Sequence, residues 1–177
     1  MNGGLAFSEA DNGRIFAMIG ITGIVTQGLL IGPLSRRFGS RRLIPVASAI
    51  TGLGLVLVPY TQAANAWSQI LLVAVLIALG NGIFQPSSSS FLTRIAKSNG
   101  YELGVVMGAQ ESLGAFARIL GPLTGGLVWT LTVSRDWPFD YHTAFHLCGI
   151  MMLLASLLAF RLPALDDEDS FLNNAEE

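Results

Sequence analysis

From Leu43 through Thr93 the chain carries no Asp, Glu, Lys or Arg, an uncharged run of 51 residues. A helix crossing the hydrocarbon core of a bilayer needs roughly 20 apolar residues, so this run holds two crossings and a turn. A water-soluble domain must cover its core with polar surface and has little room for such a segment. Only 12% of the 177 residues are charged, about half the roughly 25% of an ordinary soluble domain. The expected class is an all-α, polytopic membrane protein.

Charged or turn-rich breaks divide the chain into five apolar segments, 13–34, 43–60, 67–88, 104–133 and 142–162. Each can cross about 30 Å of hydrocarbon at about 1.5 Å per residue. Helices are expected because a helix satisfies its own backbone groups where no water can. Pro45 opens the second segment, where a missing N–H does no harm, whereas Pro86 and Pro122 lie inside segments and are expected to kink them. Residues 1–12 read as an external segment. Residues 163–177, acidic from Asp166 onward, read as a disordered, solvated cytoplasmic tail.

The connections alternate in charge. The first holds Arg36, Arg37, Arg41 and Arg42, and the third holds Arg94 and Lys97. The second is uncharged, and the fourth has Arg135 beside Asp136 and Asp140. With Arg161 closing the last segment, the positive-inside rule puts Met1 outside and Glu177 in the cytoplasm. The net charge of −2 and the scatter of basic residues argue against a nucleic-acid partner. Cys148, the only cysteine, permits no internal disulfide and reads as a small buried or lipid-facing side chain.

Two stretches are more specific than hydropathy. Gly32-Pro-Leu-Ser-Arg-Arg-Phe-Gly-Ser-Arg-Arg42 joins the first two segments. Gly32 lets helices approach, Gly39 can supply a tight turn, and the arginines can bind helix carboxyl ends, anionic lipid or acidic groups. Gly121-Pro-Leu-Thr-Gly-Gly126 lies in the fourth segment, where Pro122 frees a carbonyl and Gly121, Gly125 and Gly126 thin the helix for close packing.

The first stretch resembles the loop signature of the major facilitator superfamily, with Gly32, Arg37, Gly39, Arg41 and Arg42 in matching positions. Arg36 stands where that signature has an acid. The acid's charge-relay role in gating is therefore not carried over, and the departure favours the loop between the eighth and ninth helices. The second stretch is similar to the Gly-Pro motif of drug/proton antiporters, usually found in the fifth helix, whose pseudo-symmetric counterpart is the eleventh. A first-half placement would call for an arginine early in the third segment, which offers Gly80-Asn-Gly-Ile-Phe-Gln-Pro86 instead. The resemblance thus implies helices eight to twelve, most of one six-helix bundle, of an efflux antiporter of the tetracycline-resistance type.

That placement implies that the eighth, tenth and eleventh helices line a central cavity while the ninth and twelfth face lipid. Candidate cavity residues are Gln27, Asn81, Gln85, Gln110, Glu111 and Arg118. Gly20, Gly23 and Gln27 share one face of the first segment, and Asn81 and Gln85 are one turn apart on the third. Buried amides of this kind either bond a substrate or staple helices together. Glu111 and Arg118 are too costly to face lipid, Arg118 most of all because it lies near mid-depth of the fourth segment. Seven residues put them roughly 10 Å apart along the axis, too far for the simple one-turn pair, a gap that a water or substrate could bridge. Arg118 reads either as a cavity charge or as a structural arginine pinned by Glu111 or backbone.

His142 and His146 are one turn apart, yet nothing acidic joins them within the segment; they read as an interfacial cap and a packed imidazole, and no metal site is expected. No phosphate loop, nucleophile triad or ligand cluster points to an enzyme or a cofactor. The partners implied are the bilayer, an amino-terminal transporter half with a seventh helix, a small organic substrate and protons. Without that half the chain is not expected to transport. The alternative is a small membrane protein that packs against another membrane protein as a structural or regulatory partner.

Overall fold

The computed structural model describes residues 7–61, 66–135 and 139–163, and among them every regular element is helical. Helix α1 spans Glu9–Val25, a π-helical turn occupies Thr26–Leu30, and α2 continues over Ile31–Leu57. A short 3₁₀ turn at Val58–Tyr60 ends that stretch; α3 then spans Ala66–Ser98, α4 Leu103–Thr132 and α5 His142–Ala159. The expected acidic tail, apart from Pro163, and residues 1–6 of the external segment lie outside the described residues.

Helix α1 starts earlier than hydropathy suggests because its first turn is capped by polar chemistry. The Ser8 hydroxyl accepts from the Asp11 N–H at 3.2 Å, while the Asp11 carboxylate accepts from the Ser8 N–H at 3.0 Å and from its hydroxyl at 2.7 Å. This capping box satisfies orphan donors of the first turn. Residues 9–12, expected as part of an external segment, are therefore helical.

The basic stretch expected as a loop is also helical, up to one residue. Gly39 has φ 73° and ψ 154°, which divides α2 into a first arm continuous with α1 and a second arm running back across α3. That backbone conformation is essentially open to glycine alone, so the expected tight turn at Gly39 is present and is a single residue long. Because the second arm begins at about Ser40 rather than Leu43, Pro45 sits inside the helix and not at its opening. Its carbonyl accepts a hydrogen bond from the buried Ser156 hydroxyl of α5 at 2.7 Å.

The second arm is sandwiched between two antiparallel neighbours. Against α3, Ser40 meets Ser90 (hydroxyls 3.1 Å apart) and Gly54 meets Ile77. Against α5, Arg41 Nε donates to the Leu162 carbonyl at 2.8 Å, and Gly52 meets Gly149. Small residues make this closeness possible: a Cβ on Gly80 would collide with Thr51 and the Ala47 carbonyl, and one on Gly52 would lie 3.0 Å from the Gly149 carbonyl. Without a hydrophobic drive between helices in lipid, such tight van der Waals contact is what holds them. Leu43, Ala47 and Ile83 form the buried centre, flanked by Ile31, Leu34 and Phe84. The second arm keeps Val46, Leu53 and Leu57 exposed. These lie seven and four residues apart, which makes one strip along the helix.

Helix α1 runs parallel to α3, with Phe7 stacked on Trp67 at one end and Thr26 against Gly82 further along. Three helical stretches, Glu9–Tyr60, Trp67–Ser98 and His142–Ala159, are long and apolar enough to cross a membrane. The first has 52 residues and folds back at Gly39, so its two arms lie side by side with the lengths of two separate helices. Helix α4, with 30 residues, is of similar length and carries Glu111 and Arg118 within it.

Candidate functional site

Thr26 is fully buried and its side chain lies against Gly82, where an added Cβ would approach to 2.9 Å. This contact fixes the rotation of α1 against α3. On two parallel helices, one step forward on the first and one step back on the second turn to the same flank. Gln27 follows Thr26 and Asn81 precedes Gly82, so both project from that flank, and Gln85 joins them one turn beyond Asn81. All three side chains are exposed. Gln27 lies within the π-helical turn, a local widening often found at functional positions.

Helix α4 descends antiparallel to α3 from a tight connection in which Gly100 has φ 68°. Leu92 of α3 and Tyr101, Val106, Gln110 and Leu113 line a cavity of about 480 Å³ between the two helices. The Gln110 Oε1 atom is buried without a hydrogen-bond partner among the described residues. Seven to eleven residues back along α3 from Leu92 come Gln85 and Asn81. The same distance along α4 brings Arg118 to their depth.

Arg118 and Glu111 meet directly, Nη2 to Oε2 at 3.3 Å. The seven-residue spacing is bridged because Arg118 folds back toward the helix N-terminus. Its guanidinium passes 3.6 Å from where a Cβ of Gly114 would stand. No intervening water or substrate is needed, which corrects the expectation from spacing. The pair is not buried within the chain, with side chains 69% and 73% exposed. Most of α4 is likewise uncovered, and a Cβ on Gly121, Gly125 or Gly126 would meet nothing within 4 Å. The same holds for Gly32. Inside this chain the close approaches fall instead at Gly52, Gly54, Gly80, Gly82 and Gly149. The Gly80-Asn-Gly82 triplet and the Gly52-Leu-Gly54 pair were visible signals of this kind.

At the other end of α5, Asp140 caps the helix by accepting from the His142 N–H at 3.0 Å, and it pairs with the His142 ring at 2.8 Å. An acid therefore reaches His142 from the turn before the helix, while the buried His146 Nε2 has no hydrogen-bond partner among the described residues. Burial works against the Asp140 carboxylate, but the His142 ring and N–H outweigh it and hold its pKa below the ordinary value. Tyr60 packs on both imidazoles, at 5.4 and 5.6 Å between ring centres. Cys148 is exposed on the same helix.

The arginines of the basic stretch gather where α2 turns. Arg41 is held by the Leu162 carbonyl, Arg37 lies 5.5 Å from the Phe38 ring centre, and Arg36 and Arg42 are exposed.

"Multidrug resistance protein 1" of Bacillus subtilis is 28% identical over 149 residues, covering 84% of this chain and 36% of the relative. "Tetracycline resistance protein, class G" of Vibrio anguillarum is 32% identical over 128 residues, 72% of this chain and 31% of the relative. "Major facilitator superfamily domain-containing protein 10" of Mus musculus is 28% identical over 162 residues, 88% of this chain and 31% of the relative. The chain thus spans about a third of the length of these curated relatives. No solved structure gives a significant match. The profile of the Major Facilitator Superfamily matches residues 1–177, and the chain belongs to that family of membrane transporters, among relatives named for drug resistance.

Proposed function

We propose that the chain supplies the eighth to twelfth helices of a secondary antiporter that exports a small organic solute in exchange for protons. The observation that carries this reading is the polar flank of the α1–α3 pair. Gln27, Asn81 and Gln85 project together at the depth of Arg118, between exposed apolar side chains such as Ile24, Leu29 and Leu72. Polar and charged groups inside a membrane are costly and are retained where they line a water-filled path or bind substrate. The names of the relatives, multidrug and tetracycline resistance proteins, support a drug-like solute.

In this reading the uncovered glycines Gly121, Gly125 and Gly126 pack against helices contributed by the rest of the transporter. The charged pair on α4 faces the central path, and alternating access rocks two bundles around it. The basic turn at Gly39 lies in the cytoplasm, as does the carboxyl terminus. The Val46–Leu53–Leu57 strip faces lipid.

The chain alone is expected to insert but not to transport. The test is export of a fluorescent drug from cells expressing the chain alone, or the chain preceded by a seven-helix first part of a family member. Export above background only in the joined form supports the reading. Equal export by the chain alone contradicts it.

A further inference from the structure

Where α2 folds back on itself, its two arms and the end of α5 enclose a cavity of about 530 Å³ that the transport reading does not use. Its walls are apolar: Leu34 and Phe38 from the first arm, Leu43 and Val46 from the second, and Phe160 after α5. Its rim carries Arg42, exposed and in no ion pair among the described residues, with Arg41 beside it held by the Leu162 carbonyl. Val46 is 46% exposed and begins the strip that continues through Leu53 and Leu57. The cavity therefore opens onto the same apolar surface, not onto the polar flank of Gln27, Asn81 and Gln85.

We infer that this cavity is a binding site for an anionic phospholipid, whose phosphate sits on Arg42 and whose upper acyl chain fills the space between Leu34, Phe38 and Val46. The pairing of chemistries selects the occupant. An apolar helix from elsewhere in the transporter would fill the walls but leave the guanidinium at the rim unanswered. A soluble anion would answer the guanidinium but not wet the walls. A phospholipid satisfies both, with its charge at the membrane edge and its chain in the hydrocarbon. Arginine suits the task because its planar fork binds phosphate oxygens in pairs. Arg36 and Arg37, a turn away, add positive potential without lining the cavity. The headgroup level follows from the proposed placement of the basic turn at the cytoplasmic surface, where anionic lipid is concentrated; the inference rests on that reading for the leaflet but not for the site.

The test is native mass spectrometry of the full chain in neutral detergent, titrated with phosphatidylglycerol or with phosphatidylcholine of the same acyl chains. Detergent micelles have no sidedness, so the result does not depend on orientation or on transport. One bound phosphatidylglycerol is expected to be favoured over phosphatidylcholine by about five-fold for the engaged arginine. Arg42→Gln should erase most of that preference, and Arg42→Lys should restore part of it. Val46→Trp, which fills the mouth, should weaken both lipids together, and Arg94→Gln, remote from the cavity, should change neither. Circular dichroism confirms that each variant keeps its helices. Equal retention of the two lipids, or a preference that survives Arg42→Gln, would overturn the inference. So would lipid binding that appears only after residues 164–177 are removed, since the chain's own acidic tail would then be the occupant. Labelling of an Arg42→Cys variant from the cell exterior would overturn the orientation alone and leave the lipid result standing.

Discussion

Arg118 reaches back seven residues along α4 to Glu111, its guanidinium 3.3 Å from the carboxylate, across the bare backbone of Gly114. Two opposite charges, the only ones on α4, thus share one of its faces. Each neutralises part of the other's cost in the bilayer. Neither is enclosed by its own chain, which leaves both available to a path or to a neighbouring helix.

Removing either charge strands the other. In a transporter containing this chain, Arg118→Ala and Glu111→Gln are each expected to lower the initial transport rate at least about tenfold at normal expression. Arg118→Lys should recover part of it. Gly114→Leu, which blocks the path of the guanidinium without altering charge, should resemble Arg118→Ala. Normal rates in both Arg118 variants would remove the pair from the mechanism.

Gly39 holds a conformation in which a side chain is strained. Gly39→Ala is expected to destabilise the fold by about 1–3 kcal/mol. Reversible unfolding in mixed micelles, followed by helical circular dichroism, measures it. An unchanged midpoint would mean that the turn does not need glycine.

The glycines should separate into two classes. Gly80→Ala drives a methyl group into Thr51 and Ala47 and should cost about 1–3 kcal/mol by overpacking, in the chain on its own. Gly125→Ala meets nothing within the chain and should leave its unfolding midpoint unchanged. Gly125→Leu is expected to impair the joined transporter while sparing the isolated chain. Equal sensitivity of Gly80 and Gly125 in the isolated chain would contradict the packing described.

The first turn of α1 should respond to acid. The Ser8 hydroxyl, then the Ser8 N–H, hold the Asp11 carboxylate below its ordinary pKa, with Arg14 contributing in the same direction. Since the folded value is the lower one, the stabilisation is fully present above the unfolded pKa and is lost as pH falls through the folded pKa. The protection of the Asp11 and Asn12 amides against hydrogen exchange, taken relative to the intrinsic rate at each pH, should therefore hold at neutral pH and fall only below the ordinary carboxylate range. Ser8→Ala should move that onset upward. Identical acid profiles for both proteins would exclude the capping box as the cause.

That Leu43–Thr93 holds two long apolar helices, the second arm of α2 and α3, was legible from the sequence, because an uncharged run of that length has little else it can form. Where helices end was not legible to the same degree. Helix α3 runs on to Ser98, past Arg94 and Lys97, because backbone hydrogen bonding continues through polar residues as readily as through apolar ones. The turn at Gly39 was readable from its place among the arginines. Nothing in the residue pattern announced the π turn at Thr26–Leu30, which places Gln27 in a widened stretch rather than on a regular 3.6-residue period. Gly52, Gly80 and Gly125 look alike as letters; only the neighbours that pairing brings to them decide which is a packing contact. For the candidate site, residue types pointed to Asn81, Gln85, Glu111 and Arg118. That Gln27, Asn81 and Gln85 turn to one flank depends on the Thr26–Gly82 contact, which no local pattern contains.

If these helices belong to a transporter that exchanges a small organic solute for protons, inside-out proteoliposomes of the joined protein should take up drug in response to an inward-acidic gradient. Accumulation above the external concentration is expected only with the gradient, with collapse on adding a protonophore and loss of accumulation in Arg118→Ala. Equilibration to the same level with or without the gradient would contradict it.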